Sequence, residues 1–219
     1  MTPITFWFDP ISPYAALAFE RLPAALAGSS CVVDYRPVLL AGLLKHWGQL
    51  GPAEIAPKRD WTYRQVAWRA HVQGSALQLP AAHPFNPLPL LRLLVACGVD
   101  GRPNRRQCER VLEHVWHGGA AADDPARLAA LTAALAPPRD PRSEAVKQAL
   151  RSHTDAAIAR GVFGVPTLEL PPPAGGTAPR LFFGDDALDM AAACLRGDPW
   201  FETGWEAAAN RPVAVQRPR

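Results

Sequence analysis

The order of strand-like and helix-like segments restricts the fold of this chain more than any other feature of its sequence. A strand, a helix and a second strand come first, a long block of helical pattern follows, and two strands and a helix come last. These segments span, in chain order, residues 4–8, 13–22, 31–38, about 39–160, 166–170, 180–183 and 186–195. The order is therefore βαβ, then helices, then ββα.

Local signals support each part of this order. Residues 4–8 are β-branched and aromatic, and Ser12 and Pro13 are a natural N-cap and first residue for the helix that follows. A strand, a helix and a strand of similar length predict a parallel pair with a right-handed crossover. The two late strands flank the turn-rich residues 171–176, which predict a hairpin with a long loop and hence an antiparallel pair.

Without the helical block, βαβ followed by ββα is the arrangement of a thioredoxin fold. We therefore predict an α/β protein with a thioredoxin-like fold and an inserted all-helical domain. The predicted parts are residues 1–40 for the first half of the thioredoxin-like domain, 41–157 for the inserted domain, and 158–219 for the second half with the tail. The tail from Arg211 has little apolar content, so we expect it to be loosely held.

The composition excludes several classes of function. With 219 residues, 48% of them hydrophobic, the chain can bury a large core and is not intrinsically disordered. A net charge of +3, with the basic residues spread along the chain, argues against a nucleic-acid partner. No apolar run reaches the ~20 residues of a membrane span, and the N-terminus lacks the pattern of a signal peptide. We therefore expect a cytoplasmic protein with no membrane or nucleic-acid partner.

The cysteines and histidines predict neither a disulfide framework nor a metal site. The chain has four cysteines with no CxxC pair among them: Cys31, Cys97, Cys108 and Cys194. His114 and His117 are three residues apart in a helical segment, but no third and fourth ligand lie at standard spacing. An ordinary helix face is the better interpretation of these two histidines.

Ser12 is the first candidate for chemistry, because it lies where the first strand meets its helix. In a thioredoxin-type fold this helix N-terminus favours an anion, through its free N–H groups and the helix dipole. Disulfide oxidoreductases have a CxxC here, whereas this chain has Ser12-Pro13-Tyr14-Ala15. The hydroxyl could hold a thiolate that a ligand brings; alternatively, Ser12 is only an N-cap.

Two further candidates lie late in the chain. Pro166 precedes a strand, and a cis bond there would leave the backbone N–H and C=O of Val165 free to pair with a peptide-like ligand opposite Ser12. The alternative is a trans proline that opens an edge strand. Asp185 and Asp186 stand before the last helix, where they could bind a ligand ammonium or simply cap the helix.

These three candidates converge on one cleft if the fold is thioredoxin-like. Ser12 would hold a thiolate, Val165 a peptide backbone and Asp186 an α-ammonium. A thiol, a peptide backbone and an α-ammonium are the parts of glutathione, so the combination predicts a glutathione site.

Five sequence motifs point to a known family. They are residues 6–14 (FWFDPISPY), 58–59 (KR), 83–87 (HPFNP), 162–167 (VFGVPT) and 182–186 (FFGDD). Together they resemble the 2-hydroxychromene-2-carboxylate isomerases, which belong with the kappa-class glutathione transferases in the DsbA-like group. The resemblance runs in order from about residue 4 to residue 196, so it covers most of the chain.

The resemblance implies roles for individual residues at the glutathione site. Ser12 would be the catalytic serine that activates the thiolate. Val165, together with Pro166, would pair with the glutathione backbone. Asp185 and Asp186 would contact the γ-glutamyl end.

Three more positions are compared with the family pattern. Gln49 stands where the family commonly has a ligand-contacting Asn, so the amide is kept on a longer side chain. Lys58 matches a lysine near the glycyl carboxylate of glutathione or the substrate carboxylate. Ala187 stands where the family usually has Arg, so this chain lacks a guanidinium at that position.

The predicted substrate contacts are Tyr14, Trp61 and Asn86. Tyr14 and Asn86 belong to the motifs given above. Trp61 falls, with Trp47 and Trp68, in the segment expected to line the cleft between the two domains. These tryptophans could form an aromatic acceptor pocket; ordinary core and interface packing is the alternative.

The resemblance implies an enzyme of aromatic compound degradation. The expected activity is glutathione-dependent cis–trans isomerisation of 2-hydroxychromene-2-carboxylate or a related aromatic enone acid, by transient thiolate addition. Glutathione is the expected cofactor, a small aromatic molecule the substrate, and a homodimer the assembly. Two alternatives stay open: a kappa-type glutathione transferase or peroxidase, and a noncatalytic thioredoxin-fold binding module.

Overall fold

A computed structural model describes residues 1–212 of the chain. Within these residues the β-sheet has four strands in the order β2-β1-β3-β4. The strands are β1 (Thr2–Phe8), β2 (Cys31–Pro37), β3 (Thr167–Leu170) and β4 (Arg180–Phe183). β1 and β2 are parallel, whereas β3 runs antiparallel to both β1 and β4. The predicted parallel pair and the predicted hairpin are both confirmed.

The helical block lies between β2 and β3, as predicted, and helices also follow β1 and β4. In chain order the helices are α1 (Pro13–Ala25), α2 (Leu40–Trp47), α3 (Ala56–Gln73), α4 (Leu88–Cys97), α5 (Arg105–Trp116), α6 (Pro125–Leu135), α7 (Glu144–Ala159), α8 (Leu188–Leu195) and α9 (Trp200–Ala209). Short 3₁₀ helices span Pro52–Glu54 and Asp185–Ala187. The fold is thus a thioredoxin-like α/β fold with inserted helices.

The sequence pattern did not predict α9. Its residues Phe201 and Trp205 pack against Phe182 of β4, with ring centroids 6.0 and 5.1 Å from the Phe182 ring. The helix therefore covers the apolar side of the edge strand β4. Most of the expected loosely held tail, residues 213–219, lies outside the described residues.

The C-terminal end of β1, Phe6 to Phe8, is buried on both faces of the sheet. Ile4, Phe6 and Phe8 alternate along the strand and pack into the largest apolar cluster. Trp7 points to the other face, where it packs with Val38 and residues near α7. This burial fixes the end of β1, after which the chain enters the loop that carries Ser12.

The main apolar core crosses the predicted boundary between residues 40 and 41. One cluster contains Phe6 and Phe19 from the first half together with Leu94, Val111 and Trp116 from the inserted helices. The inserted helices are therefore packed directly on the sheet and on α1. The boundaries given above, 1–40, 41–157 and 158–219, stay a prediction.

None of the helices in residues 1–212 combines the length and the apolar character that crossing a membrane requires.

Candidate active site

Ser12 caps α1, as the sequence predicts. Its Oγ accepts a hydrogen bond from the Ala15 N–H at 3.2 Å, and Pro13 is the first residue of the helix. The same Oγ donates to the Val165 carbonyl at 3.3 Å, although 153 residues separate the two in sequence. Ser12 is 6% exposed. It is therefore both a helix cap and one side of a contact between the two halves of the thioredoxin-like fold.

The Val165–Pro166 peptide bond is cis, and it lies opposite Ser12. β3, which follows it, is a central strand, so the alternative of a trans proline at an edge strand is wrong. Within residues 1–212 the Val165 N–H donates to no protein acceptor, and neither does the Tyr14 N–H in the first turn of α1. Two backbone donors beside Ser12 are thus available to a ligand.

Asp9 builds the loop of residues 9–12, and its role was missed from the sequence. Its carboxylate accepts hydrogen bonds from the Ile11 N–H at 3.0 Å and the Leu40 N–H at 2.9 Å, and its carbonyl accepts from the Ser12 N–H at 3.0 Å. The side chain is fully buried, and this burial raises the pKa of Asp9 to about 7. The available signal was an acidic residue directly after the apolar run Phe6-Trp7-Phe8.

Two side chains from the inserted helical segment hold the next carbonyls of the same loop. Trp116 Nε1 donates to the Pro10 carbonyl at 2.8 Å, and His83 Nε2 donates to the Ile11 carbonyl at 2.8 Å. Burial lowers the pKa of His83. Neither residue was predicted to act here, although His83 belongs to one of the family motifs. The loop before Ser12 is therefore positioned by the insertion as well as by β1.

Asp185 and Asp186 share one arginine, Arg69 of α3, which was not predicted at the site. Arg69 Nη1 pairs with Asp185 Oδ1, and Nη2 lies 3.7 Å from Asp186 Oδ2. Asp185 is 2% exposed, and its burial raises its pKa, an effect that Arg69 opposes. Arg21 Nη1 donates to the Asp185 carbonyl at 3.0 Å. Asp186 is the exposed member of the pair, so it is the carboxylate that a ligand can reach.

Tyr14 connects this carboxylate pair to the Ser12 region. It follows Ser12 by two residues, and the Arg69 guanidinium lies 5.9 Å from the centre of its ring. Its hydroxyl donates to Gln65 Oε1 of α3 at 2.6 Å, and burial raises the pKa of the phenol. On the other side, the Gly184 N–H donates to the Pro166 carbonyl at 2.9 Å. Ser12, Val165, Tyr14 and the carboxylate pair are therefore connected through direct contacts.

The other predicted site residues are exposed, and none of their side chains hydrogen-bonds to Ser12 or Val165. They are Gln49, Lys58, Trp61 and Asn86. Asn86 Oδ1 accepts from the Leu88 N–H at 3.1 Å and so starts α4. Trp61 is 60% exposed, and Trp68 is 64% exposed, so core packing is the wrong interpretation of these two tryptophans.

Of these exposed residues, Lys58 lies on the same face of α3 as two residues that contact the site. Gln65 and Arg69 follow Lys58 by seven and eleven residues, spacings that bring side chains to the same side of a helix. Since Gln65 contacts Tyr14 and Arg69 contacts Asp185, Lys58 lies on the helix face that is turned toward the site. The rise from Lys58 to Arg69 is about 16 Å along the helix axis.

The described part of the chain shows no group of three or more His, Cys, Asp or Glu side chains that could hold a metal ion. His114 Nε2 donates to the Ala122 carbonyl at 2.9 Å, and His117 pairs with Glu20, so each histidine has its own partner. The cysteines are free thiols, and burial raises the pKa of both Cys97 and Cys108.

Comparisons with known proteins identify the family of this chain. The family model described as DSBA-like thioredoxin domain matches residues 3–196. The chain is 27% identical over 210 residues to glutathione S-transferase kappa 2 of Caenorhabditis elegans, a match that covers 88% of this chain and 91% of that protein. It is 26% identical over 201 residues to the 2-hydroxychromene-2-carboxylate isomerase of Pseudomonas putida, covering 88% and 93%.

A solved structure of a 2-hydroxychromene-2-carboxylate isomerase has the same fold. The TM-score is 0.71 at 23% identity, and the match covers 93% of this chain and 98% of that chain. The resemblance predicted from the motifs is thereby confirmed, and so is the predicted fold. Because the family model spans residues 3–196, the chain belongs to the DSBA-like thioredoxin domain family.

Proposed function

We propose that this protein is an enzyme, a glutathione-dependent cis–trans isomerase of 2-hydroxychromene-2-carboxylate or a related aromatic enone acid. One observation carries the proposal. Ser12 occupies the N-terminus of α1 opposite the Val165 carbonyl, and the segment Ser12-Pro13-Tyr14-Ala15 contains no cysteine. The reactive sulfur must then come with a ligand, because the helix start itself has no thiol for exchange chemistry.

The residues around Ser12 fit glutathione. The Val165 N–H, which has no protein acceptor in residues 1–212, can pair with the cysteinyl carbonyl of a bound peptide. The unpaired Tyr14 N–H and the positive end of the α1 dipole favour a thiolate. The exposed carboxylate of Asp186 can bind the α-ammonium. Lys58 can pair with the glycyl carboxylate or with the substrate carboxylate, and Gln49 can contribute its amide.

When bound, glutathione supplies a thiolate that adds reversibly to a conjugated double bond, which allows rotation about the resulting single bond. Ser12 Oγ–H turns from the Val165 carbonyl to the sulfur and lowers the thiol pKa by hydrogen bonding to the charged form. Lys58 stabilises negative charge on the bound acid. The buried loop of residues 9–12 keeps Ser12 in place while the charge develops.

The aromatic part of the substrate would lie against Tyr14 and Trp61, with Asn86 at its polar edge. Trp61 is 60% exposed, so a large aromatic surface is available for stacking on a ring. The same proposal includes a role in the degradation of aromatic compounds and a homodimeric assembly. Sedimentation of the purified protein tests the assembly.

A kappa-type glutathione transferase is the second candidate function. It is favoured by the similarity to the Caenorhabditis elegans kappa 2 transferase over 88% of this chain. The two functions use the same thiolate site but differ in whether glutathione leaves unchanged.

The experiment measures glutathione binding by tryptophan fluorescence and chromene isomerisation with wild type and Ser12→Ala. The proposal expects binding, turnover without net glutathione consumption, and loss of turnover in Ser12→Ala. Consumption of one glutathione per product would favour the transferase. Binding without turnover of any conjugated acid would favour a noncatalytic module, and absence of binding would contradict the thiolate mechanism.

A further inference from the structure

Arg69 has hydrogen-bonding capacity that the protein does not use. Its Nη1 is bound to Asp185 Oδ1, but Nη2 lies 3.7 Å from Asp186 Oδ2, which is beyond hydrogen-bonding distance. Within residues 1–212, Nε and Nη2 donate to no acceptor. The Arg69 side chain is 25% exposed, so these donors are within reach of a small molecule.

The surroundings of Arg69 fix its guanidinium. The Asp185 side chain is 3% exposed, and its Oδ2 is buried without a hydrogen-bond donor in the described part of the chain. Asp185 is therefore a buried carboxylate whose charge is balanced by Arg69. The Tyr14 ring, 5.9 Å from the guanidinium carbon, restricts it further. Arg69 is thus held at the edge of the site by two neighbours.

Asp186 presents the opposite charge beside these free donors. Its side chain is 70% exposed, and its Oδ2 is the atom 3.7 Å from Arg69 Nη2. Gly184, at φ 101°, lets the backbone pass close to this carboxylate, since a Cβ there would lie 2.4 Å from Asp186 Oδ1. An accessible cation and an accessible anion therefore stand side by side. This pair matches a free α-amino acid group, which carries a carboxylate and an ammonium on one carbon.

We infer that Arg69 binds the α-carboxylate of the γ-glutamyl group of glutathione while Asp186 binds its α-ammonium. This inference rests on the proposed function. It adds Arg69, a residue of the inserted helix α3, to the proposed glutathione site. Lys58 stands about 16 Å away along the same helix, on the same face. α3 thus presents one cation to each terminal carboxylate of the tripeptide, and the thiol between them lies toward Ser12.

The test compares three thiol peptides by calorimetric titration. They are glutathione, γ-aminobutyryl-Cys-Gly, which lacks the α-carboxylate, and glutaryl-Cys-Gly, which lacks the α-amino group. With wild type we expect glutathione to bind about tenfold or more tightly than either analogue, as the loss of one charge-assisted hydrogen bond predicts.

Two variants assign the discrimination to its residues. Arg69→Gln combined with Asp185→Asn leaves no unpaired buried charge, and it should bind glutathione and γ-aminobutyryl-Cys-Gly equally. Asp186→Asn should lose discrimination against glutaryl-Cys-Gly only. Arg21→Gln is the control, because Arg21 contacts the Asp185 carbonyl and Asp189 rather than the two side chains of the subsite. It should keep the wild-type preferences.

The outcomes separate this inference from the proposed function. If wild type binds glutathione and γ-aminobutyryl-Cys-Gly equally, or the double variant still prefers glutathione by the wild-type factor, the role of Arg69 is wrong while the glutathione site stands. If wild type binds none of the three peptides, the proposed function fails, and the inference fails with it.

Discussion

The loop of residues 9–12 contrasts with the exposed α3 residues Lys58, Trp61 and Trp68, which we call the α3 face. In the loop, the carbonyls of Asp9, Pro10 and Ile11 all accept hydrogen bonds from protein donors. On the α3 face, none of the three side chains forms a hydrogen bond within residues 1–212.

The contrast separates two kinds of functional residue. Donors from within the protein satisfy the loop carbonyls, so we expect the loop residues to contribute to both stability and catalysis. Among the described residues, the side chains of the α3 face have no hydrogen-bond partner, so we expect them to act on a ligand. Substitutions in the loop should therefore change the free energy of unfolding as well as turnover, whereas substitutions of Lys58, Trp61 or Trp68 should change binding alone.

The largest effect is expected for Ser12→Ala. Loss of the hydroxyl that stabilises the thiolate should lower isomerase kcat/KM about 100-fold or more, as removal of a single charge-stabilising donor does in other enzymes. Loss of the N-cap should lower the free energy of unfolding by about 1 kcal/mol. Steady-state kinetics and denaturant unfolding measure the two effects.

Ser143→Ala is the matched control for Ser12→Ala. Ser143 caps α7, where its Oγ accepts from the Val146 N–H at 3.4 Å. This variant should lose about the same stability without loss of turnover. Equal losses of turnover in the two variants would mean that Ser12 acts only as a helix cap.

Trp116→Phe tests how far the insertion positions the loop. The substitution leaves the Pro10 carbonyl without its donor, at a side chain that is 1% exposed. The free energy of unfolding should fall by about 1–3 kcal/mol, with a smaller loss of kcat than for Ser12→Ala. Trp68→Phe, at a 64% exposed side chain, should change stability by less than about 0.5 kcal/mol. Equal changes in the free energy of unfolding for Trp116→Phe and Trp68→Phe would contradict the distinction between the loop and the α3 face.

Asp9 gives the loop a pH dependence of known sign. Its pKa rises from the ordinary 3.8 to about 7 on folding, so the folded protein keeps a proton that the unfolded chain releases. The free energy of unfolding should therefore decrease as the pH rises from about 4 to about 7, by at most about 1.4 kcal/mol per pH unit from this group. Asp9→Asn should flatten this part of the stability curve. A profile of the same slope in both proteins would show that Asp9 is ionised throughout.

Lys58→Ala should have the smallest effect. The exposed side chain forms no contact that folding requires, so stability should stay within about 0.5 kcal/mol of wild type. KM for glutathione or for the acid substrate should rise about tenfold, through loss of one charge-assisted contact. Lys147→Ala, on α7 and paired with Glu144, is the control and should leave KM unchanged. A large loss of stability in Lys58→Ala would mean that Lys58 contributes to folding, as the loop residues do, and would contradict its assignment to ligand binding alone.

Local patterns predicted most of the fold. β-Branched and aromatic runs, turn-rich breakers and helix caps act over a few neighbouring residues. They predicted the strands, the position of the inserted helices and the Ser12 cap. The predicted thioredoxin-like topology also placed Ser12 and Val165 opposite each other. The isolated helix α9 was missed because its apolar residues are explained only by the strand they cover.

The partners that complete the site were not predictable in the same way. Trp116 and Pro10 are 106 residues apart, and Arg69 and Asp185 are 116 residues apart. Such contacts depend on how the insertion packs on the sheet, and no local pattern encodes that packing. The arginine for the carboxylate pair comes from α3, whereas the family comparison directed attention to position 187.

The thiol pKa of bound glutathione tests the central claim most directly. Titration of the thiolate ultraviolet absorbance, with saturating protein, gives this value for wild type and for Ser12→Ala. The account predicts that binding to wild type lowers the thiol pKa from about 8.5 to about 7 or below, and that most of this decrease is lost in Ser12→Ala. An unchanged thiol pKa on binding to wild type would contradict the account.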